Sequence, residues 1–303
     1  MVDILIVGGG PAGLTAALYG RRAGKSVLVL EKNTFGGQIS WSPKVENYPA
    51  IASVSGLELA DLLTAQATEQ GAQIELDEVT SVTREDDHFT VTTAFGETYE
   101  ARTVIAATGA APRRLGLEGE EALIGRGVSF CAVCDGEFYR GADVAVVGGG
   151  NSALQEALYL SDLCRRVYLI HRRDAFRADR ALVDRASARE NIQMIRPASV
   201  TALHGNDVLE GITVREQDTE RTYSVQGLFL AIGHLPQNAL FSDLLLLDEA
   251  GYAAIGESCT TPTPGLFVAG DCRAKSVRQL TTAVSDGAVA TLAACHYLDM
   301  QEG

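Results

Sequence analysis

The clearest capacity for chemistry in this sequence lies in two cysteines, Cys131 and Cys134, which are separated by two residues. Two intervening residues on one helical turn place both sulfurs within disulfide distance, so the pair can cycle between dithiol and disulfide. Asp135 follows directly and offers a carboxyl group that could give a proton to a leaving thiolate. These three residues are the candidate catalytic residues.

The same spacing allows two other interpretations. A zinc site would need a second pair of ligands, and the remaining four cysteines show no such spacing to each other or to a histidine. We therefore expect no metal site. The two cysteines could also be inert core residues, and Asp135 could be an ordinary residue at the start of a helix.

A glycine-rich turn near the start of the chain has the composition of a phosphate-binding loop. It has the form Gly8-x-Gly10-x-x-Gly13 and stands between an apolar run and a predicted helix over 11–22. Glycines allow backbone amides to approach a pyrophosphate closely, and the helix dipole favours that charge. Glu31 ends the next apolar run and could accept a hydrogen bond from a ribose hydroxyl. The alternatives are a purely structural turn and a solvated carboxylate at a strand end.

A second turn, Gly148-x-Gly150-x-x-Ala153, has the same placement between an apolar run and a predicted helix. The strand after that helix ends in basic residues instead of a carboxylate. These basic residues are His171, Arg172, Arg173 and Arg177. Guanidinium groups bind phosphate oxygens in pairs, so the cluster suits the 2′-phosphate of NADPH. A solvated basic face is the alternative.

The two loops therefore suit different dinucleotides. The first has a carboxylate at the ribose position and suits a cofactor with a free 2′-hydroxyl, whereas the second suits NADPH. A hydride from NADPH carries two electrons and a disulfide accepts two, but the two groups react poorly with each other. A flavin commonly connects them. The first loop is therefore predicted to hold FAD.

The elements that must position these groups repeat along the chain. Each glycine turn lies in a β-α-β unit whose strands are the continuous apolar runs typical of buried parallel strands. Alternating runs over 74–100 and 200–223 predict a small antiparallel layer in each half, closed by strands at 103–107 and 227–231. A later strand at 266–269 must join one of the two sheets. We expect an α/β fold with two Rossmann-like, three-layer dinucleotide-binding domains.

Composition limits the classes of protein to which the chain can belong. It has 303 residues and 25 basic against 39 acidic side chains, which gives a net charge of −14. Such an acidic protein is not expected to bind nucleic acid or an anionic membrane. No apolar run reaches the roughly 18 residues of a membrane span, and the first residues already form a strand, so we expect no signal peptide. With six scattered cysteines, we expect a cytoplasmic protein whose thiols are mostly reduced.

Short motifs connect the two loops and the cysteine pair with a known family. They are Gly8-Gly-Gly-Pro-Ala-Gly13, Gly37-Gln38, Val45-Glu-Asn-Tyr-Pro49, Ala107-Thr-Gly109, Cys131-Ala-Val-Cys-Asp-Gly136, Gly148-Gly-Gly-Asn-Ser-Ala153, His171-Arg-Arg-Asp-Ala-Phe-Arg177, Gly270-Asp271 and Arg278-Gln279. Over essentially its whole length, the sequence resembles the low-molecular-weight, bacterial-type thioredoxin reductases of the two-dinucleotide-binding-domain flavoprotein family.

The resemblance implies a set of cofactor-binding residues. For FAD they are Gly8, Gly10, Pro11, Ala12, Gly13, Glu31, Lys32, Gly37, Gln38, Asn47, Thr108, Gly109, Gly270, Asp271, Arg278, Gln279 and Leu280. For NADPH they are Gly148, Gly150, Asn151, Ser152, Ala153, His171, Arg172, Arg173, Arg177, Ile232 and Gly233. It further implies that Cys134 is the thiol nearer the flavin, that Cys131 is its partner and that Asp135 is the acid-base residue. Which thiol attacks the substrate first stays open.

The resemblance also implies a domain arrangement. The FAD-binding domain would comprise residues 1–113 and 241–303, with an NADPH-binding domain, residues 114–240, inserted between them and carrying the cysteine pair. The dithiol must meet both the flavin and a thioredoxin disulfide, and the family achieves this by rotating one domain against the other. Hinges are expected near residues 112–116 and 233–238. Thioredoxin is the implied protein substrate, and a homodimer is the implied assembly.

Two other functions remain open at this point. One is a related flavin disulfide reductase that serves another dithiol protein or a peroxidase. The other is a flavin-binding redox sensor without turnover, which the acid beside the dithiol argues against. Cys272, directly after the last aspartate motif, is expected to be a buried thiol that packs as a small hydrophobic residue.

Overall fold

The computed structural model describes residues 1–302 and divides the chain into two compact units. The first, here called the discontinuous unit, combines residues 1–111 with the residues from 235 onward. The second, here called the inserted unit, is residues 112–234. The first glycine loop lies in the discontinuous unit. The cysteine pair and the second glycine loop lie in the inserted unit.

The first part of the discontinuous unit is a β-α-β unit followed by a helix and further strands. Its elements are β1 (Val2–Val7), α1 (Pro11–Arg22), β2 (Val27–Glu31), a 3-10 helix (Gly37–Trp41), α2 (Gly56–Glu69), β3 (Gln73–Leu76), β4 (Val79–Arg84), β5 (Phe89–Thr93), β6 (Thr98–Ala106) and a short strand, β7 (Ala110–Pro112). Pro11 at the first position of α1 suits a helix start, because that residue needs no backbone N–H.

The inserted unit repeats the β-α-β plan around the second glycine loop. Its elements are β8 (Val128–Ser129), α3 (Ala132–Asp135), a 3-10 helix (Gly136–Tyr139), β9 (Asp143–Val147), α4 (Asn151–Ser161), β10 (Arg166–Ile170), α5 (Arg180–Ser187), β11 (Ile192–Ile195), β12 (Ala198–His204), β13 (Gly211–Glu216), β14 (Thr219–Tyr223) and β15 (Gly227–Leu230). The strand order β11-β10-β9-β15-β8 is entirely parallel, and β12, β13 and β14 form a separate antiparallel sheet.

The chain then returns to the discontinuous unit. The returning elements are β16 (His234–Pro236), a 3-10 helix (Ala239–Phe241), β17 (Leu266–Val268) and the long helix α6 (Leu280–Glu302). In the main sheet of this unit the order is β3-β2-β1-β6-β5-β4, and β17 pairs with β6 in parallel. The late strand therefore joins the first sheet, and the predicted α/β fold class with two Rossmann-like units is confirmed.

Both faces of the central strands are covered, as a parallel sheet requires. In β1, Ile4 and Ile6 pack into one core and Leu5 and Val7 into another. On the first of these faces α6 lies against α1, where the Thr291 hydroxyl donates to the Ala16 carbonyl at 3.0 Å. The last helix of the chain is thus part of the core under the first glycine loop.

One part of the sequence prediction is wrong. The alternating runs over 74–100 predict a small antiparallel layer, and β4, β5 and β6 do pair antiparallel, but β3 pairs in parallel with β2 at the edge of the main sheet. Helix α2 lies between these two strands and returns the chain in the same direction, which makes parallel pairing possible. The antiparallel strands β4 and β5 also belong to the main sheet, because β6 pairs with β5 at one end and with β1 at the other.

Within residues 1–302, no helix combines the length and the apolar character that a membrane span requires.

Candidate functional site

The cysteine pair lies on the short helix α3, directly after β8. Cys131 and Cys134 form a disulfide, and their Cα atoms are 5.3 Å apart, within the usual range. The backbone N–H of Cys134 donates to the Cys131 sulfur at 3.2 Å. A donor aimed at this sulfur favours its thiolate form after reduction. The structure therefore joins the two predicted cysteines and places a thiolate-stabilising group beside them.

Asp135, the third candidate catalytic residue, ends the same helix. Its carboxyl oxygen Oδ2 accepts a hydrogen bond from the Ser129 hydroxyl at 2.6 Å. Burial raises the pKa of Asp135, and this effect exceeds the opposing influence of the Ser129 hydrogen bond. A carboxyl group with a raised pKa retains its proton closer to neutral pH, which suits a general acid next to a thiolate.

The first glycine loop has the shape that a pyrophosphate requires. A Cβ atom on Gly13 would overlap the carbonyl oxygen of Gly8, so only glycine allows this tight turn. At Gly10, by contrast, a Cβ atom would meet nothing within 4 Å. Gly10 precedes α1, and no side chain caps the first backbone N–H groups of the helix. These residues fit a pyrophosphate group.

Glu31 is placed at the end of β2, and its carboxylate binds the loop itself. Oε2 accepts from the Gly9 N–H at 2.7 Å, and Oε1 accepts from the Asn33 N–H at 2.9 Å. The side chain is almost buried. Because a carboxylate offers about four lone-pair positions, it can still accept from a ribose hydroxyl. Glu31 therefore supports the loop and remains available to a ligand, whereas Lys32 beside it is exposed.

Most of the other predicted FAD residues lie at the start of the 3-10 helix Gly37–Trp41, on two loops and at the start of α6. Gly37 approaches Gly10, since a Cβ atom on it would be 3.4 Å from the Gly10 Cα. Gln38 donates to the carbonyl of Ala110 at 2.8 Å. Thr108 and Gly109 follow β6, and Leu280 is the first residue of α6. The Asn47 amide donates to the Gln279 side chain at 3.4 Å.

Gly270 and Asp271 follow β17, so they lie at the carboxyl edge of the main sheet, as the first glycine loop does. A Cβ atom on Gly270 would be 2.9 Å from the Ala12 side chain, which brings this turn against the start of α1. Pro11 and Ala12 are the first two residues of that helix. Arg278 stacks on Tyr252 with its guanidinium carbon 4.1 Å from the ring centroid.

A cluster of buried charges holds this turn, and the sequence prediction missed it. Arg273 donates to both carboxylate oxygens of Asp286, at 2.8 and 2.9 Å. Lys275 lies 3.1 Å from Asp286 and 3.0 Å from the carboxylate of Asp271. Asp286 also accepts from the Gly270 N–H at 3.1 Å. These contacts fix both the backbone and the carboxylate of the Gly270-Asp271 motif.

The second glycine loop has the same geometry at the start of α4. Gly150 caps the helix without a side-chain hydrogen bond, and a Cβ atom on it would meet nothing within 4 Å. Gly148 has no such room, because a Cβ atom there would be 2.7 Å from Ala153. Asn151 exchanges two hydrogen bonds with Asp179, at 2.8 and 3.0 Å. Ser152 is exposed. This loop also fits a pyrophosphate.

The basic cluster divides into a packing residue and three exposed arginines. His171 is buried, stacks on Phe176 with ring centroids 5.3 Å apart, and fills the space where a Cβ atom on Gly149 would lie. The Arg177 N–H donates to the Gly149 carbonyl at 2.7 Å, which ties the basic segment to the loop. Arg172, Arg173 and Arg177 are exposed. Their guanidinium groups are therefore available to a phosphate near the loop.

Two predicted NADPH residues, Ile232 and Gly233, follow β15 at the same carboxyl edge. A residue that sequence reasoning missed lies on α4 itself. Burial raises the pKa of Glu156 to about 7, and its Oε2 has no hydrogen-bond partner among the described residues. No signal in the sequence singles it out, because a glutamate on a helix is ordinarily exposed to solvent.

The four remaining thiols form neither a disulfide nor a metal-binding group within residues 1–302. Cys164, Cys259, Cys272 and Cys295 are buried and are not in disulfides. Burial raises the pKa of the Cys272 thiol, which is fully inside the core, so it packs as the sequence predicted. In residues 1–302, no group of three or more histidine, cysteine or acidic side chains is arranged to bind a metal ion.

Comparisons with known proteins show the family to which the chain belongs. The profile of the family described as pyridine nucleotide-disulphide oxidoreductase matches residues 2–287. The sequence is 41% identical over 300 residues to the thioredoxin reductase of Listeria monocytogenes, covering 98% of this chain and 94% of the relative. It is 40% identical over 309 residues to the thioredoxin reductase of Helicobacter pylori, covering 99% of each.

A solved structure shares the whole fold. The thioredoxin reductase from Streptococcus pyogenes superposes with a TM-score of 0.93 at 40% identity, over 99% of both chains. The match therefore extends over the residues of both units. The chain belongs to the pyridine nucleotide-disulphide oxidoreductase family and, within it, to the bacterial-type thioredoxin reductases.

Proposed function

We propose that Cys131, Cys134 and Asp135 carry out the thioredoxin-reducing step and that the two glycine loops bind FAD and NADPH respectively. The chain is a thioredoxin-disulfide reductase, and FAD and NADPH are its cofactors. The observation that carries the residue assignment is the Cys131–Cys134 disulfide beside the partly buried carboxyl group of Asp135. That arrangement contains an electron acceptor and a proton source within five consecutive residues.

The first loop would hold FAD. Gly10 and the start of α1 would bind its pyrophosphate, Glu31 its ribose and Asp271 its ribityl chain. Gly37, Gln38 and Arg278 would lie near the flavin ring. The open space at Gly10 and the uncapped start of α1 support this proposal. Bound FAD supplies two-electron transfer between a nicotinamide and a disulfide.

The second loop would hold NADPH. Gly150 and the start of α4 would bind its pyrophosphate, and Arg172, Arg173 and Arg177 would bind its 2′-phosphate. His171 would act through packing, because it is buried against Gly149 and does not present its ring to solvent. The absence of a carboxylate at the end of β10 supports the choice of NADPH over NADH, since a carboxylate there would repel the phosphate.

The dithiol would reduce thioredoxin by two exchanges. One thiolate attacks a sulfur of the thioredoxin disulfide and forms a mixed disulfide, and the displaced thioredoxin thiolate takes a proton from Asp135. The second cysteine then attacks its partner in the mixed disulfide, and its own thiol proton goes to the departing thioredoxin sulfur. This step releases thioredoxin as a dithiol and re-forms the Cys131–Cys134 disulfide. Over one cycle, NADPH and one proton convert the thioredoxin disulfide into two thiols.

We propose that the inserted unit rotates against the discontinuous unit during this cycle, with hinges near residues 112–116 and 233–238. Two connecting segments join the units, and the dithiol and the first glycine loop belong to different units. An engineered cross-link between the units should therefore stop turnover. Full activity of the locked protein would refute the rotation.

Two further properties are proposed from family membership. We propose that the enzyme is a homodimer and that it works in the cytoplasm, where its four buried thiols would stay reduced. Analytical ultracentrifugation at several concentrations would test the first proposal. Fractionation of cells that express the protein would test the second.

An anaerobic titration tests the whole proposal. The protein loaded with FAD is titrated with NADPH and then with oxidised thioredoxin, and the flavin absorbance and the thioredoxin thiols are followed. Bleaching by NADPH followed by one reduced thioredoxin per NADPH consumed is the expected result. Flavin bleaching without any thioredoxin thiols would contradict the assignment of the dithiol.

A further inference from the structure

Ser129 is a buried serine at the end of β8, and the function proposed above does not use it. Its side chain is 4% exposed, and β8 fixes its position by pairing with β15, where Ser129 is opposite Phe229. The serine is therefore part of the sheet, whereas the residues it contacts belong to the redox helix α3. This difference makes it a fixed point against which the helix can be positioned.

The hydroxyl of Ser129 connects the acid to the dithiol. It accepts a hydrogen bond from the Cys131 N–H at 3.1 Å and donates to Asp135 Oδ2 at 2.6 Å. A hydroxyl has one proton, and its other possible acceptor, the Cys131 carbonyl, is 3.5 Å away. The much shorter distance to Oδ2 places that proton on the bond to the carboxyl group. Both ends of α3 are thus bound to one oxygen atom.

The two carboxyl oxygens of Asp135 consequently differ. Oδ2 is already occupied as an acceptor, whereas Oδ1 is buried and has no hydrogen-bond partner among the described residues. A proton added to Asp135 goes to Oδ1, which no donor faces. A proton on Oδ2 would point at the hydroxyl hydrogen that Ser129 already donates to that oxygen. We propose that Ser129 is a positioning residue that directs the transferable proton of Asp135 to Oδ1. The inference rests on the proposed role of Asp135 as the acid.

The direction of the effect on titration follows from the same bond. The Ser129 hydrogen bond lowers the pKa of Asp135, while burial raises it. Removing the hydroxyl therefore raises the pKa further. The other titratable groups near Asp135 are the two thiols of the reduced enzyme and Tyr139, whose pKa burial raises to about 12 and which stays neutral over the working range. Both cysteines are present in every variant, so Asp135→Asn, which lacks the carboxyl group, is needed to identify the part of the pH profile that belongs to Asp135.

The experiment compares Ser129→Ala, Ser129→Thr and Asp135→Asn in the FAD-loaded enzyme. Thioredoxin reduction is measured against pH, and the carboxyl C=O band of Asp135 is titrated by infrared difference spectroscopy, with Asp135→Asn identifying the band. Ser161→Ala is the matched control, because Ser161 is a buried serine of the same unit that donates to the Leu158 carbonyl at 2.7 Å. Ser129→Gly is a second variant without the hydroxyl, in case the alanine variant does not fold.

The expected result for Ser129→Ala is a fall in thioredoxin reduction of roughly 10-fold, with the alkaline limb of the profile moved to higher pH. Ser129→Thr keeps the hydroxyl and should behave as the unaltered enzyme. The inference would be overturned if the alkaline limb and the infrared titration were unchanged in both Ser129→Ala and Ser129→Gly. Loss of activity in Asp135→Asn would in that case leave the proposed function intact. Full activity in Asp135→Asn would overturn the acid role itself.

Discussion

Asp286 binds the guanidinium of Arg273 through both of its carboxylate oxygens, at 2.8 and 2.9 Å, and both side chains are almost fully buried. Charges are costly to bury, and a buried pair persists only when each partner is fully satisfied. Here Lys275 and the Gly270 N–H complete the shell around Asp286. The pair therefore fixes the turn that carries Asp271, and its removal should affect both stability and the retention of FAD.

Asp286→Asn should destabilise the discontinuous unit by about 3–5 kcal/mol, because it removes the buried carboxylate that Arg273 and Lys275 share. Only Glu257 and Asp271 would then balance these two buried cations. Asp299→Asn is the matched control: Asp299 pairs with Lys25 at 2.6 Å but is 64% exposed, and its loss should cost less than about 1 kcal/mol. Thermal unfolding and the fluorescence of released flavin measure the two effects. Equal stability of the two variants would contradict the buried role of the cluster.

Cys134→Ser should leave flavin reduction by NADPH intact and lower thioredoxin reduction by on the order of 10³-fold or more, because one sulfur cannot complete two exchanges. Stopped-flow absorbance reports the first reaction, and a thiol assay reports the second. Cys164→Ala removes a buried thiol of the same unit that forms no disulfide, and it should not change either rate. Normal thioredoxin reduction by Cys134→Ser would show that the dithiol is not the electron donor.

Replacing Arg172 and Arg173 by alanine should lower the preference for NADPH over NADH by roughly 10²- to 10⁴-fold. Each lost charge-assisted hydrogen bond to the 2′-phosphate costs about 1.5–3 kcal/mol, and the double variant loses at least two such bonds. The KM for NADH should stay the same, since NADH lacks that phosphate. Arg215→Ala is the control, because Arg215 pairs with Glu220 on the antiparallel sheet of the same unit. An unchanged ratio in the double variant would refute the phosphate assignment.

Glu156→Gln should reduce the pH dependence of stability. The folded-state pKa of Glu156 is raised to about 7 from 4.5 by burial. The stability linked to this group is therefore fully present below the unfolded-state pKa of 4.5 and is lost as the pH rises from there through about 7. The loss amounts to about 3 kcal/mol, and glutamine, which does not ionise, should abolish it. Thermal unfolding between about pH 4 and pH 8 measures the slope, with the exposed Glu190→Gln as the control.

The parts of the fold that the sequence predicted are those encoded over short distances. The turn from Gly8 to Gly13, the strand before it and the helix after it each carry their own pattern within about 20 residues, so their order needs no knowledge of distant contacts. The pairing of β3 was missed because the direction of a short strand depends on the helix that precedes it. Alternation of side chains does not reveal that direction.

The parts of the site that could not be predicted depend on packing between distant segments. Ser129 and Asp135 are six residues apart, yet their contact requires β8 to pair with β15, about 100 residues later. Arg273, Lys275 and Asp286 look like ordinary surface charges in the sequence, because charged side chains are rarely buried. Only the closure of α6 over the sheet turns them into a buried cluster.

Helix α6, the last element of the chain, completes the core under the first glycine loop, since Gly287 lies directly against the backbone of Ala12 and Thr291 binds the Ala16 carbonyl. During synthesis on the ribosome, α1 therefore emerges more than 260 residues before the helix that covers it. The inserted unit is one continuous segment, so all the strands and helices that pack within it are present once residue 234 has emerged. We expect this unit to fold first on the ribosome, and capture of flavin to follow only after α6 has emerged.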